Sequence, residues 1–133
     1  LAALSGVTVH RRSGAGGELP QADVVYVNAG AFAPDPSWLR ALVPRGRLIF
    51  PWQPSGNGAG YALLLTRRAR GGFSVRDLMM VGFIPLVDER KPPSRSTRDC
   101  RATRSAWLAS ERAPDATATA IWPDVWFSSD EVG

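Results

Sequence analysis

The sequence has one cysteine, one histidine and one lysine in 133 residues. Cys100 alone can form no internal disulfide, and a zinc site built on thiolates is excluded. His10 leaves little for any other metal site. No apolar run approaches the length of a membrane span, and no basic-then-apolar leader follows Leu1. With so little cysteine, the expected setting is cytoplasmic. Leu1 in place of Met is what a processed, truncated or incompletely recorded chain would show. Because Lys91 is the only lysine, the net charge of +4 rests on arginine. A basic balance can mark nucleic-acid binding. These arginines are scattered among abundant Ala, Gly and Pro, which a bias of the coding DNA explains equally well, so nucleic acid is not the expected partner. At 44% apolar and 21% charged, the composition is that of a globular domain or a piece of one. A chain this long can bury roughly two-thirds of its unfolded surface.

Local patterns give an element order. Val7-Thr8-Val9-His10-Arg11 alternates and is rich in β-branched residues, which predicts a strand. Ser13 to Gly17 is a glycine-rich loop. Asp23 to Asn28 is a nearly continuous apolar run, expected as a strand buried on both faces. Asp35 can cap a helix that has Pro36 at its first position, carries Trp38, Leu39, Leu42 and Val43 as its apolar stripe, and stops at Pro44. Arg45-Gly46 turns the chain into the strand Arg47 to Trp52. Strand, loop, strand, helix, strand argues α/β with parallel pairing.

Further on, a turn-rich stretch from Pro54 to Gly60 precedes a strand from Tyr61 to Arg68. Within that stretch, Asn57-Gly58 is expected in an exposed turn. A tight turn at Arg70-Gly71-Gly72 leads to extended segments from Phe73 to Leu78 and from Met79 to Val87, and short turns favour antiparallel pairing. Asp88 to Arg104 is polar, and its second part could form a short helix. The tail offers three strands: Ala106 to Ser110, Thr117 to Trp122 and Val125 to Ser128.

Several residues invite a functional reading. His10 lies beside Arg11 and Arg12 with no carboxylate partner in view, so a solvated strand histidine is expected rather than a general base. Arg95, Arg98, Arg101 and Arg104 recur every three residues and would form one ridge on a helix. Without interleaved aromatics that ridge reads as a solvated face. Cys100 has Arg101 beside it but no histidine, which disfavours nucleophilic catalysis. Trp107, Trp122, Trp126 and Phe127 look like the core of a small tail sheet, not a base-stacking platform.

Three stretches carry a family resemblance: ADVVYVNAGA from Ala22 to Ala31, WLRALVPRGRLIFPW from Trp38 to Trp52, and YALLLTRR followed by GFSVRDLMMVGFIPLV from Tyr61 to Val87. Their order and spacing resemble the second half of the protein-L-isoaspartate O-methyltransferases, within the class I S-adenosylmethionine-dependent methyltransferases. The resemblance covers about the first 90 residues and weakens in the last 45. It implies an α/β fold: a partial Rossmann-like sheet, family strands 3 to 7, with a small antiparallel C-terminal tail. The implied division is 1–87 as the C-terminal half of the methyltransferase domain, 88–104 as a polar basic connector and 105–133 as a small β tail.

The same resemblance implies S-adenosylmethionine as the cofactor of the intact parent and a peptide or protein carboxylate as its substrate. Gly14, Ala15 and Gly16 stand where the family places a Gly-acid-Gly loop against the adenine; Ala15 replaces the acid. A plain flexible loop is the alternative. Asn28, Ala29 and Gly30 follow the central strand at its carboxyl end, where open α/β sheets bind ligands. A strand end capped by a side-chain amide is the alternative there. The family's glycine-rich cofactor turn and its acidic ribose ligand have no counterpart here, so the chain alone is expected to be inactive. A non-catalytic remnant or binding module is the rival reading, favoured by Ala15 and by Gly82 where the family has a basic residue. Family topology also puts two absent strands between Val7–Arg11 and Asp23–Asn28. The second of these strands is therefore expected to have an unpaired edge, leaving the chain poorly stable, oligomeric or closed by its first strand.

Overall fold

The computed structural model describes residues 5–54, 60–85, 95–96 and 102–131. Its strands are β1 (Ala22–Tyr26), β2 (Leu42–Trp52), β3 (Gly60–Arg67), β4 (Phe73–Val81), β5 (Arg95–Ser96), β6 (Ser105–Leu108), β7 (Ala118–Ile121) and β8 (Val125–Ser128). They form a single eight-stranded sheet in the order β1-β2-β3-β4-β6-β8-β7-β5. Only β1 and β2 pair in parallel; every other pair is antiparallel. The six-residue α1 (Pro36–Ala41) is the α-helix among the described residues. The fold is therefore mostly β with a mixed sheet, and the expected α/β layering is confined to β1, α1 and β2.

Helix α1 starts as its sequence requires. The Asp35 carboxylate accepts from the Ser37 N–H at 3.1 Å, and Pro36 occupies the first turn, where a missing N–H costs nothing. Its end comes earlier than expected. Leu42 is already extended, and its N–H bonds back to the Leu39 carbonyl. Pro44 disfavours helical backbone at Val43, so the chain leaves the helix before the proline. Arg45 then takes φ 67°, a left-handed residue that swings the chain into the long part of β2.

One face of the sheet carries the core. Leu48, Phe50 and Trp52 of β2, Leu63 and Leu65 of β3, Phe73 and Val75 of β4, and Ala106, Leu108, Val125 and Phe127 of β6 and β8 are all buried in it. Trp38 and Leu39 of α1 close over the same cluster, with the Trp38 and Phe50 rings 6.0 Å apart. Burying each of the Val, Leu and Phe side chains contributes about 1.5–3 kcal/mol. The tail strands join this sheet rather than forming one of their own: β4 pairs with β6 through Phe73 and Ala106, and Trp52 meets Phe127 and Trp122 edge-on at 5.0 and 5.9 Å.

Two sequence expectations fail at the N-terminal side. Residues 7–11 form no strand; they are exposed, with Val9 at 66%. An alternating β-branched stretch becomes a strand only where a neighbour accepts its hydrogen bonds, and β1 takes its partner from β2 instead. The apolar run of β1 is not buried on both faces. Val25 packs against the core, while Val24 and Tyr26 are 49% and 64% exposed. Among the described residues β1 is the last strand of the sheet and has no strand on its outer side, as expected. Asn57-Gly58, Cys100, Arg98 and Arg101 lie outside the described residues. Arg95 sits in β5, paired with β7, and not on a helix.

Candidate functional site

The carboxyl ends of the parallel pair β1 and β2 bring the sequence-predicted residues to one end of the sheet. The chain rises through β1, crosses through α1 and rises again through β2, so the start of α1 also lies at that end.

The glycine-rich loop is tied to the start of α1. The Gly16 N–H donates to the Asp35 carboxylate at 3.0 Å, and the Trp38 indole N–H donates to the Gly14 carbonyl at 2.7 Å. The same Asp35 oxygen accepts from the Ser37 backbone and from the Ser37 hydroxyl. Ala15 packs against the core and its N–H bonds the Ser13 hydroxyl at 3.2 Å. Gly16 and Gly17 hold φ 76° and 75°, which is why this loop needs glycine at both positions. Beside it, a cavity of about 430 Å³ opens between the loop and α1, with Glu18, Gln21, Ser37 and Arg40 as its polar lining.

The second segment follows β1. The Val27 N–H still bonds into β2, at the Ile49 carbonyl. Asn28 is exposed at the strand's end, Ala29 is half-buried and Gly30 is buried. Gly30 donates to the Ile84 carbonyl at 2.9 Å, and Ala31 donates to Pro51 while accepting from the Gln53 N–H. Gln53, which sequence reasoning did not single out, fixes this end of the sheet. Its amide is almost fully buried and clasps Phe83 twice, accepting from the Phe83 N–H at 2.7 Å and donating to the Phe83 carbonyl at 3.2 Å. A Cβ on Gly30 would lie 2.3 Å from the Gln53 amide nitrogen, so glycine is what lets the two segments close. The only sequence signal was a lone amide directly after a buried strand.

The structure thus gathers Gly14, Ala15 and Gly16 on the start of α1, and Asn28, Ala29 and Gly30 on the Gln53 clasp. His10 is exposed and lies in neither group. Among the described residues there is no cluster of His, Cys, Asp or Glu able to hold a metal ion, and no helix long and apolar enough to cross a membrane. The surface offered here is built from backbone, small residues and one exposed amide. It suits positioning of a ligand rather than proton transfer.

No protein-family model matches the chain. Over 93 residues it is 46% identical to a protein-L-isoaspartate O-methyltransferase of Methylorubrum extorquens (strain PA1). That match takes in 65% of this chain and 39% of the relative, so the chain spans well under half of the protein it matches. The relationship to a protein-L-isoaspartate methyltransferase therefore holds over part of the chain.

Proposed function

We propose that this chain is the C-terminal part of an S-adenosylmethionine-dependent O-methyltransferase of the protein-L-isoaspartate type, which methylates a carboxylate of a peptide or protein. The observation that carries the reading is the 46% identity over 93 residues to a protein of that name. Placement of Gly14–Gly16 and Asn28–Gly30 at the carboxyl ends of a parallel strand pair supports it, since open sheets with crossover helices bind ligands there.

The fit of the residues to the cofactor is partial. The Gly14 carbonyl and the Gly16 and Gly30 N–H groups are already bonded within the chain. Those glycines would line the cofactor by shape, and Asn28 is the side chain free to donate to it or accept from it. When bound, the cofactor supplies a methyl group on a sulfonium, an intrinsically good leaving group. What the chain's own residues contribute is alignment: Gln53 fixes the strand end that carries Asn28, and Asp35 fixes the loop. Such a site needs no acid-base pair. The rival reading, a non-catalytic remnant or binding module, is favoured by Ala15, which cannot accept a hydrogen bond through its side chain.

The test is methyl transfer from labelled S-adenosylmethionine to an isoaspartyl peptide. The chain alone is expected to give no turnover. Mixed with the unmatched part of the Methylorubrum relative it is expected to give turnover, and Asn28→Ala should lower that turnover. Turnover by the chain alone would refute its proposed dependence on a missing part. Absence of both turnover and cofactor binding in the complemented pair would favour the remnant.

A further inference from the structure

We propose that Arg67 is a positioning residue for the candidate site: its bond to the Leu42 carbonyl fixes the end of α1 and, through α1, the place of the Gly14–Gly16 loop. That this loop meets the cofactor rests on the methyl-transfer reading; the hold of Arg67 on the loop does not. Arg67 ends a stripe that is otherwise apolar. Leu63 and Leu65 of β3 are fully buried in the core, and the alternation of a strand puts the Arg67 side chain on their face. A charge there needs an acceptor. The half-buried guanidinium finds one by donating from Nη1 to the Leu42 carbonyl at 2.6 Å, a short charge-assisted bond between residues 25 apart in sequence. Leu42 is the C-cap of α1, so its carbonyl is one that the helix does not use itself. Both partners belong to this chain, and the bond is independent of what packs beyond β1.

The backbone that follows α1 is a poor brace. Ala22 pairs with Leu42, but the next pairs match Val24 with Arg47, so Val43 to Gly46 bulge out of the ladder. Arg45 is left-handed inside this bulge, and a Cβ on Gly46 would lie 2.7 Å from the Val43 carbonyl oxygen. The ladder between β2 and β3 begins at Arg47 and Thr66, so Arg67 stands beside the bulge and spans it. Trp38, Leu39 and Leu42 also hold α1 in the core. Apolar contact has no preferred direction, whereas a hydrogen bond does. A helix of six residues is about 9 Å long, so a displacement at its end is carried to its start. There Asp35 bonds the Gly16 N–H and Trp38 bonds the Gly14 carbonyl.

The indole region of a nitrogen–proton NMR spectrum tests the hold. Arg67→Met should move the Trp38 indole N–H and the Gly16 amide upfield, as their bonds to the Gly14 carbonyl and to Asp35 lengthen. The Trp126 indole N–H, bonded to the Arg112 carbonyl in the tail, should stay in place. Arg68→Met makes the same change one residue on, at a guanidinium whose Nη1 has no partner, and should leave Trp38 and Gly16 where they are. Unmoved Trp38 and Gly16 resonances in Arg67→Met, or an equal movement of Trp126, would overturn the proposal. Where Arg67→Met fails to fold, Arg67→Gln, too short to span the bulge, replaces it with the same expectation. The second readout is methyl transfer by the chain mixed with the unmatched part of the Methylorubrum relative. There Arg67→Met should raise the KM for S-adenosylmethionine about tenfold and leave kcat within about twofold. A fall in kcat at constant KM would overturn the positioning role. Should the wild-type pair give no turnover while the resonances move as expected, the methyl-transfer reading fails and the hold of Arg67 on the loop stands.

Discussion

The two ends of one sheet face differ more than their sequences do. At the C-terminal end, Trp107 and Trp126 stand on the face opposite the main core and are nearly fully buried. The turn after β6 covers them: the Arg112 guanidinium lies 4.8 Å from the Trp107 ring centre and 5.5 Å from that of Trp126, and the Trp126 indole N–H donates to the Arg112 carbonyl. At the N-terminal end, Val24 and Tyr26 occupy the same face and stay open, and at the far end of β4 Met79 is open on that face and Met80 on the other. Side-chain type does not separate the two ends. What separates them, among the described residues, is a covering segment and a second neighbouring strand, which β6 and β8 have and β1 lacks. An apolar strand is stabilised by what packs on it, not by its composition.

Substitutions can sharpen that contrast. Trp126→Ala should lower the unfolding free energy by about 3–5 kcal/mol in a urea titration, because it empties a fully buried position and removes the indole bond to Arg112. Met80→Ser at the open end should change it by no more than about 0.5 kcal/mol. Equal losses at the two sites would break the comparison. Gly72→Ala is expected to cost somewhat less than Trp126→Ala. Gly72 holds φ 70°, and a Cβ there would meet the Trp107 ring at 2.9 Å, so left-handed strain and overpacking together predict a loss of roughly 2–4 kcal/mol. The smallest effect concerns pH. Asp115 lies in the loop that follows the covering turn, where the Thr117 hydroxyl, the Thr117 N–H and the Arg112 guanidinium hold its carboxyl below the ordinary 3.8. A depressed carboxylate stabilises the folded state above its unfolded value and loses that contribution as pH falls through its folded value. The stability difference between the wild type and Asp115→Asn should therefore be small, constant above about pH 5 and vanish only below 3.8. A difference that peaked in acid would contradict this.

Much of the fold was legible because its signals are local. Asp35-Pro36 starts the helix by capping and by a fixed φ, Gly71-Gly72 turns the chain with both residues at positive φ, and Val125–Ser128 forms a strand with the limits its residues suggest. Illegible features depended on distant partners. Val7–Arg11 has a strand's composition but no strand to pair with. β8 lies between β6 and β7, an order that no local pattern encodes. The candidate site divides in the same way. Its glycines are visible because backbone geometry demands them, whereas the partner of Gln53 is 30 residues away and its amide reads in the sequence as an ordinary polar side chain.

The Asp35 carboxylate has a consequence in time as well as in space. A single oxygen holds the first turn of α1 through Ser37 and the glycine loop through Gly16. Loss of that oxygen removes both bonds at once and leaves the loop tied to the helix by the Trp38 indole on the Gly14 carbonyl. Asp35→Ala should therefore speed deuterium uptake at the Gly16 and Ser37 amides together, two segments 21 residues apart in sequence answering to one atom.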